Sequence, residues 1–353
     1  MIKIVTGNLM DADVEAVVNT VNTVGVMGKG IALQFKRAFP ENFRAYERAC
    51  KQGDVKLGRM FVYETRSLYG PRYIVNFPTK SHWKAVSRLE DIRAGLRSLT
   101  ETIEKLGIKS IAVPPLGCGL GGLSWNEVRP IIENALEPFA DVDVRLYEPA
   151  GAPAAERMKV ATARPQMTIG RAALIGLIDR YKVPGYDYLL SLLEVHKLAY
   201  FLQCAGQPLK LAFQKGIYGP YADSLRHVLS RIEGHFISGY GDGRNSPETP
   251  LALLPGAAEE AARFLGDHPK TREHFDRVAE VIEGFETPYG MELLSSVHWV
   301  AMRENASART SAEDAAAGVL NWNERKRRIF KPEHIRLAWA RLRDAGWLEE
   351  TPS

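Results

Sequence analysis

The sequence predicts an α/β protein: a three-layer α/β/α sandwich with a mixed, mostly parallel sheet, followed by a mainly helical second domain. Three observations lead to this prediction. The 353 residues are enough for two hydrophobic cores, and 45% hydrophobic with 25% charged residues is an ordinary globular composition. In residues 1–149, strand-like and helix-like segments alternate, as they do in parallel sheets. From residue 167 onwards, long segments with apolar residues at helical spacing replace that alternation.

Residues 1–149 contain the segments that predict the sandwich. Strands are predicted at IKIVTG, AVVNTVN, RMFVYET, RYIVNF, SIAVPPL and VDVRLYEP, and RMFVYET and RYIVNF are placed to pair with each other. Helices are predicted at GIALQFKRAFPENFRAYERAC, with a break near Pro40, at SRLEDIRAGLRSLTETIEKLG and at WNEVRPIIENALEPFA. The second helix carries its apolar residues at spacings of three and four, which gives it one apolar face.

The segment AGAPAAERMKVATARPQ, residues 150–166, is rich in Ala and Pro and lacks apolar periodicity, so it is predicted to be a linker. The second domain, residues 167–353, is predicted to be mainly helical. Its helical segments are LLSLLEVHKLAYFLQCAG, YADSLRHVLSRIE, GAAEEAARFLG, REHFDRVAEVIEGF, MELLSSVHWVAM and PEHIRLAWARLRDAGWLEE. Gly346 is expected to end the last helix, with a short strand after it.

Composition limits the classes of function. The three cysteines are far apart and form neither a disulfide framework nor a zinc-binding pattern, so no metal and no cofactor are expected. No run of 18 apolar residues and no signal-peptide pattern is present, so we expect a cytoplasmic protein without a membrane partner. A net charge of +4 neither requires nor excludes a nucleic acid.

Two glycine-rich turns follow strands of the first domain. They are GVMGKGIA, residues 25–32, and PPLGCGLGGLSW, residues 114–125, and each opens a predicted helix. Glycine lets the backbone approach an anion closely, and a helix start adds free N–H groups with a partial positive charge. Two such loops at one sheet edge would hold the two phosphates of a diphosphate; the alternative is two tight strand-to-helix turns. Neither loop has the P-loop pattern of nucleoside triphosphatases.

The stretch FPTKSHW, residues 77–83, directly follows the predicted strand RYIVN. It places Lys80 in the first turn after a buried strand, at the carboxyl edge where α/β sheets bind their ligands. The alternative is a solvated loop lysine. Trp83 is expected either to stack on a base or to cover the sheet edge, and His82 either to contact the base or strand or to be simply exposed.

Several segments together resemble the macrodomain, an ADP-ribose-binding module. They are TGNL at 6–9, AVVNTVN at 16–22, GVMGKGIALQFK at 25–36 and PPLGCGLGGLSW at 114–125, and the resemblance covers all of 1–149. It is closest to the branch of the terminal ADP-ribose protein glycohydrolase, which also has a lysine after the strand IVNFPT. With its helical second domain, the whole chain resembles the DarG family of antitoxins. Their partner is DarT, a toxin that ADP-ribosylates single-stranded DNA.

The resemblance implies a substrate site that holds ADP-ribose. The residues implied for its adenosine end are Gly7, Asn8 and Leu9, although most macrodomains have Asp where this chain has Asn8. Asn22 is implied near the distal ribose, or else forms a turn at the strand end. The residues implied for the diphosphate are Met27, Gly28, Lys29, Gly30, Ile31, Gly117, Cys118, Gly119, Leu120 and Gly121. Thr79 and His82 are implied beside the catalytic group.

The catalytic residue implied by the resemblance is Lys80. Cleavage of the bond to C1″ of the distal ribose passes through an oxocarbenium-like state. Lys80 would act either as a free amine that attacks C1″ or as an ammonium group that protonates the departing base. The protein glycohydrolase of this branch has an aspartate in its second loop, where this chain has Gly121 and Gly122, so a lysine–aspartate pair is not expected.

The second domain is implied to bind the toxin. Nine acids against four bases between Glu259 and Glu292 would face the basic groove of a DNA-binding enzyme, whereas RKRRIFK at 325–331 is basic. The resulting expectation is an antitoxin that removes ADP-ribose from thymidine of single-stranded DNA. The alternatives are an ADP-ribose reader without turnover, and a hydrolase of small compounds such as ADP-ribose 1″-phosphate or O-acetyl-ADP-ribose.

Overall fold

The structure, a computed structural model, describes residues 1–67, 69–181 and 189–349, and the chain divides into two units. The first unit comprises Met1–Ala163 and Gly241–Arg244, and the second comprises Arg164–Tyr240 and Asn245–Ser353. Gly241–Arg244 thus belong to the first unit although they lie within the sequence range expected for the second domain. None of the helices in the described ranges combines the length and the hydropathy needed to cross a membrane.

A six-stranded sheet forms the centre of the first unit. Its strands are β1 (Ile2–Val5), β2 (Ala16–Asn22), β3 (Phe61–Glu64), β4 (Tyr73–Lys80), β5 (Ser110–Val113) and β6 (Asp143–Tyr147). They lie in the order β1-β6-β5-β2-β4-β3, and every neighbouring pair is parallel except β3 with β4. The predicted mixed, mostly parallel sheet and the predicted pairing of β3 with β4 are confirmed.

Helices cover both faces of this sheet: α1 (Gly30–Ala38), α2 (Pro40–Gln52), α3 (Leu89–Leu106) and α4 (Trp125–Leu136). Successive residues of a strand point to opposite faces, and β2 shows this. Val18 packs in one core cluster with α3 and α4, whereas Val17 packs in another with Phe35 of α1. The predicted three layers are therefore present. The predicted helix break is also confirmed, since α1 ends before Phe39 and Pro40 begins α2.

Strand β4 is longer than the sequence predicts. It runs from Tyr73 to Lys80, so Lys80 is its last residue and does not lie in the following turn. The reason is that β3 pairs with β4 only as far as Asn76, while β2 continues beside it as far as the pair Asn22–Lys80. Beyond Asn76 one side of β4 is an edge, where the missing N–H group of Pro78 breaks no ladder hydrogen bond.

Part of the segment expected to be a linker is held against the first unit. Lys159 Nζ donates a hydrogen bond of 2.7 Å to the carbonyl of Met10 and pairs with Asp11. Two residues later, the N–H of Ala161 donates to the carbonyl of Arg37 at 2.9 Å. These contacts fix the chain across the α1 side of the first unit before the second unit begins at Arg164.

The second unit is rich in helices, as predicted. Its helices are α5 (Ile169–Tyr181), α6 (Leu192–Cys204), α7 (Leu225–Ile232), α8 (Ala257–Leu265), α9 (Pro269–Ile282), α10 (Pro288–Trp299), α11 (Ala312–Leu320), α12 (Glu324–Ile329) and α13 (Pro332–Asp344). Two small sheets accompany them, one of β7 (Leu190–Ser191), β10 (Ile237–Ser238) and β11 (Pro250–Leu253), the other of β8 (Gln214–Gly216) and β9 (Gly219–Tyr221). Residues 347–349 form no strand, and the rest of the segment in which a short strand was expected after Gly346 lies outside the described residues.

Members of the acidic and the basic run of the second unit meet in its interior. Lys326 is fully buried and its Nζ donates to Oε1 of buried Glu292 at 2.7 Å and to Ser296 Oγ at 2.9 Å. Arg325 pairs with the same carboxylate at 2.5 Å. Two members of the basic run and one of the acidic run therefore form an internal ion cluster. Six carboxylates of the acidic run stay exposed: Glu259, Asp267, Glu273, Asp276, Glu280 and Glu283.

Candidate functional site

The carboxyl ends of three neighbouring parallel strands meet at one edge of the sheet. Strand β2 ends at Asn22, β4 ends at Lys80, and β5 ends at Val113, just before the second glycine-rich loop. Strand β2 lies between the other two. The edge is therefore the crevice position at which open α/β sheets bind ligands.

The first glycine-rich loop is built by the side chain of Asn22. Its Nδ2 donates to the carbonyl of Val26 at 2.6 Å, and its Oδ1 accepts from the N–H groups of Val24 and Val26 at 3.0 and 3.3 Å. The hydroxyl of buried Tyr46 donates to the carbonyl of Asn22 at 2.6 Å. Asn22 thus forms the turn that the sequence offered as the alternative to a ribose contact, and its amide is engaged within the loop.

The other residues of this loop divide between core and edge. The side chain of Met27 is 1% exposed and packs in a core cluster with Val21 and Tyr46, so only its backbone faces the edge. Gly30 begins α1 with φ at +62°, a left-handed conformation that favours glycine. Lys29, which precedes it, is exposed, and Ile31 packs against the core below the loop.

The second glycine-rich loop is a closed turn between β5 and α4. The N–H groups of Cys118, Gly122 and Leu123 donate to carbonyls of Pro115, Gly119 and Gly117 at 3.0–3.1 Å. Gly117 has φ at +73°, so a glycine is needed there. The backbone carbonyl of Gly121 accepts a hydrogen bond of 2.9 Å from the N–H of Ser87, which ties the loop to the segment after β4.

The two loops face each other across a gap that one guanidinium group spans. A Cβ atom added to Gly30 would lie 2.8 Å from Nη2 of Arg244, and one added to Gly119 would lie 3.4 Å from the same atom. The N–H of Gly30 donates to the carbonyl of Asp242 at 2.9 Å. The segment Gly241–Arg244 of the first unit therefore lies against both loops.

Lys80 connects the end of β4 with the second loop. Its Nζ donates hydrogen bonds to the carbonyls of Leu120 at 3.0 Å and Trp83 at 3.2 Å. Burial lowers the pKa of the Lys80 amine below its ordinary value, and no charged group of the described residues contributes to that shift. The amine is therefore half-buried at the edge, held by neutral acceptors, and loses its proton more readily than a solvated lysine.

The segment after Lys80 presents an aromatic and basic surface. Trp83 is 46% exposed, its ring lies 5.2 Å from that of His82, and Lys84 Nζ lies 4.9 Å above it. His82 is exposed, and its Nδ1 accepts from the N–H of Lys84 at 3.2 Å. Of the two roles expected for Trp83, this exposure favours contact with a partner.

The loop at the end of β1 holds the residues implied for the adenosine end. Asn8 caps a short 3-10 helix, since its Oδ1 accepts from the N–H of Met10 at 3.1 Å and its Nδ2 donates to Asp11 at 3.0 Å. Leu9 is buried in the core, whereas Gly7 is exposed with φ at +118°. The carboxylate that contacts Asn8 in this loop is therefore that of Asp11, three residues later.

Comparison with known proteins identifies the family. The Macro domain family model matches residues 18–132. A DNA ADP-ribosyl glycohydrolase of Thermus aquaticus is 48% identical over 99% of this chain and 94% of its own length, and one of Mycobacterium tuberculosis is 45% identical over 97% and 99%. This chain belongs to the DNA ADP-ribosyl glycohydrolase family. The resemblance to macrodomains and to the DarG family, and the predicted enzyme class, are confirmed.

A third relative carries the names of two enzymes. It is a protein of Thermosipho africanus, named a DNA ADP-ribosyl transferase–DNA ADP-ribosyl glycohydrolase fusion protein. It is 36% identical over 163 residues, which cover 42% of this chain and 42% of that protein.

Two of the residues implied at the site of the present chain have buried or unreactive side chains. Thr79 is 4% exposed, and its hydroxyl donates to the carbonyl of Val21 at 3.4 Å, so its side chain stabilises the strand pair. Burial raises the pKa of the Cys118 thiol to about 11, so it stays protonated and is a poor nucleophile. Within the described ranges, no group of three or more His, Cys, Asp or Glu side chains is arranged to hold a metal ion.

The second loop has no room for the aspartate of the protein glycohydrolase branch. A Cβ atom on Gly121 would lie 2.3 Å from Ser87 Oγ and 2.4 Å from the carbonyl oxygen of Gly117. The carbonyl oxygen is part of the backbone and cannot rotate away as a side chain can. Gly122 has open space, but its φ of +80° disfavours any side chain. The backbone of this loop therefore excludes the lysine–aspartate arrangement at both Gly121 and Gly122.

Sequence reasoning missed three contributors to this edge. Tyr46 lies on α2, and its hydroxyl anchors the first loop through the carbonyl of Asn22. The N–H of Ser87 anchors the second loop through the carbonyl of Gly121. Arg244 is distant in sequence from both loops, and the only local signal for it is the turn GYGDGRN, whose glycines and charged residues fit no helix or strand.

Proposed function

We propose that this protein removes ADP-ribose from ADP-ribosylated single-stranded DNA, with thymidine as the modified nucleoside and Lys80 as the catalytic residue. The observation that carries the proposal is the position of the Lys80 amine. It lies at the carboxyl edge of the sheet, is partly desolvated, and is hydrogen-bonded to the backbone of a glycine-rich loop. The family name of its relatives gives the reaction: hydrolysis of the bond between DNA and ADP-ribose.

The two glycine-rich loops support binding of the diphosphate. They face each other closely, and α1 begins at one of them with its partial positive charge directed into the gap. The diphosphate between them would leave the distal ribose near the ends of β2 and β4, where Lys80 lies. We retain the implied set as the proposed binding residues, with backbone rather than side-chain contacts at Met27, Leu9 and Thr79, since those side chains are buried.

Lys80 supports cleavage in either of two protonation states. As a neutral amine it attacks C1″, the electron pair of the broken bond stays with the base, which takes a proton from water, and a water molecule then displaces the lysine from C1″. As an ammonium group it gives its proton to the departing base while water adds to C1″. Both routes yield free ADP-ribose and the unmodified base. Neither uses a carboxylate of the second loop, where the backbone leaves no room for one.

The surface beside Lys80 supports a nucleic-acid substrate. Exposed Trp83 would offer a ring face to a neighbouring base, and Lys84, whose Nζ lies 4.9 Å from that ring, would meet a phosphate of the same strand. Because stacking does not depend on the base identity, this surface would hold single-stranded DNA without reading its sequence. We also propose a cytoplasmic location, since Cys50, Cys118 and Cys204 are free thiols.

We further propose that the second unit neutralises a DarT-like DNA ADP-ribosyltransferase by direct binding. The six exposed carboxylates on α8, on α9 and in the turns that follow these two helices can pair with the basic groove of a DNA-binding enzyme. The fusion relative carries transferase and glycohydrolase names in one protein, which supports a functional pairing. In the full chain, Glu273→Lys with Glu280→Lys should weaken toxin capture, whereas Glu101→Lys with Glu104→Lys on α3 should not. Equal capture by both pairs would contradict the acidic-surface interface.

A non-catalytic reader is the second candidate, and the absence of space for an aspartate beside Lys80 favours it. A substrate panel separates the candidates. The full chain is incubated with an oligonucleotide ADP-ribosylated on thymidine, with an ADP-ribosylated protein and with O-acetyl-ADP-ribose, and free ADP-ribose is measured. The proposal predicts fastest release from the oligonucleotide. Binding of ADP-ribose without release from any substrate would establish the reader, and release from O-acetyl-ADP-ribose alone would establish the small-ester hydrolase.

A further inference from the structure

The segment Gly241–Arg244 is a built part of the edge where the two glycine-rich loops meet. The carbonyl of Asp242 accepts the N–H of Gly30, the first residue of α1. Gly243 has φ at +75°, and a Cβ atom there would lie 3.5 Å from the carbonyl oxygen of Gly28 and 3.6 Å from Leu33. Arg37 of α1 donates to the carbonyl of Gly241. The segment therefore passes close over the first loop, and it ends with the Arg244 side chain between both loops.

The charges of this segment are arranged unusually. Arg244 places a cation where the start of α1 already contributes partial positive charge, an arrangement that is unfavourable without an anion. The anion present is Asp242, whose Oδ2 lies 3.4 Å from Arg244 Nε. The side chain of Asp242 is 4% exposed, and Oδ2 receives no hydrogen bond from any described residue. A buried carboxylate oxygen without a donor is costly, so this intramolecular pair is a weak one.

We propose that Arg244 is a diphosphate-binding residue whose guanidinium pairs with Asp242 here and with the diphosphate of ADP-ribose in the complex. The proposal rests on the proposed function, since it takes the gap between the loops as the diphosphate site. A guanidinium group offers a planar fork of donors that matches phosphate oxygens. That of Arg244 lies between two loops that would contact opposite sides of the ligand. The Asp242 carboxylate acts as a stand-in anion that the diphosphate displaces.

The proposal gives opposite signs for substitutions at the two residues. Arg244→Ala removes the cation and should weaken ADP-ribose binding about tenfold or more, as expected for loss of a charge-assisted hydrogen bond. Arg244→Lys should fall between the wild type and Arg244→Ala, because an ammonium group keeps the charge but not the fork. Asp242→Asn keeps the oxygen that accepts from the N–H of Arg244 but removes the competing charge, so it should bind ADP-ribose more tightly than wild type.

The test is calorimetric titration of the full chain with ADP-ribose and with adenosine, which lacks phosphate. The control is Arg44→Ala, which removes the same charge from an exposed ion pair with Glu41 elsewhere on the first unit. The expected result is that only the Arg244 and Asp242 variants change the ADP-ribose affinity, in opposite directions, while adenosine binding is the same in all variants. Thermal melting of each variant checks that it is folded. If Arg244→Ala is unfolded, the comparison is made with Arg244→Lys and Asp242→Asn.

Two other results would overturn the inference in distinguishable ways. If wild type binds ADP-ribose and the Arg244 variants bind it equally well or more tightly, the guanidinium does not bind the diphosphate. The role of Arg244 is then refuted, while the proposed function of the protein stands. If wild type does not bind ADP-ribose at all, the proposed function fails and this inference fails with it.

Discussion

The Nζ atom of Lys80 donates a hydrogen bond of 3.0 Å to the backbone carbonyl of Leu120. This contact joins the last residue of β4 to the loop after β5, across the intervening strand β2. It places an amine whose pKa is lowered by burial beside the loop that is proposed to hold the diphosphate. The position of the amine thus depends on backbone carbonyls. Side-chain substitutions elsewhere in the loop leave these acceptors in place.

The pH dependence of the reaction reports the protonation state of Lys80. Because burial lowers its pKa, the inflection assigned to Lys80 should lie below the ordinary lysine value. We expect kcat/KM to rise with pH through this inflection and then level off, since attack on C1″ needs the free amine. The measurement is release of ADP-ribose from a modified oligonucleotide between pH 6 and pH 10, in about half-unit steps. A rate that instead falls through the inflection would assign the general-acid role.

Gly121→Ala tests whether the backbone excludes a side chain from the second loop. The added methyl group would meet Ser87 Oγ and the carbonyl of Gly117, so we expect the free energy of unfolding to fall by about 2 kcal/mol. Gly28→Ala is the matched control, because its Cβ atom would make only an ordinary contact of 3.6 Å with Val26. Both are measured by urea unfolding of the full chain. Equal stability of the two variants would show that the loop relaxes around an added side chain, and would contradict its exclusion by the backbone.

Trp83→Ala separates recognition of DNA from recognition of ADP-ribose. Loss of one stacked base is worth about 1–3 kcal/mol, so KM for an ADP-ribosylated oligonucleotide should rise roughly tenfold. The affinity for free ADP-ribose should be unchanged, because the exposed ring lies beside Lys80 and not between the loops. Trp83→Phe should keep most of the oligonucleotide binding. A change in free ADP-ribose affinity would mean instead that Trp83 shapes the nucleotide site.

Lys197→Met tests a buried charge in the second unit. Lys197 is 2% exposed, its Nζ donates to the carbonyl of Pro220 at 2.7 Å, and burial, with nearby Lys326, lowers its pKa to about 7. Between pH 7 and the ordinary lysine pKa, the unfolded chain therefore binds a proton that the folded chain does not. Stability should rise with pH in that window, by about 1 kcal/mol per pH unit, and less of this rise should remain in Lys197→Met. Unfolding free energies at pH 7 and pH 9 check this, and an unchanged slope in the variant would contradict it.

The fold of the first unit could be predicted largely because its signals are local. Strand β2, the two glycine-rich loops and the break before Pro40 each depend on a few consecutive residues, and each was found from them. The end of β4 could not be found in this way. Its extension to Lys80 depends on which neighbouring strand continues beside it, and that is a property of the sheet.

The contributors that the sequence did not reveal depend on pairs distant in the chain. Arg244 acts on the loops around Gly30 and Gly119, and Glu292 meets Lys326 from another helix. Helix α5 was missed for a different reason: its residues are apolar on nearly every side, so it has little periodicity to detect. For Arg244 and for Glu292 with Lys326, the signal appears only when the tertiary structure brings the partners together.

The most direct test of the central claim compares wild type with Lys80→Ala on a single-stranded oligonucleotide ADP-ribosylated on thymidine. Release of free ADP-ribose is followed, and binding of ADP-ribose to both proteins is measured alongside. The account predicts release by wild type, loss of release by Lys80→Ala, and ADP-ribose binding by both. Release by Lys80→Ala at the wild-type rate would contradict it, because the reaction would then not depend on the amine at the end of β4.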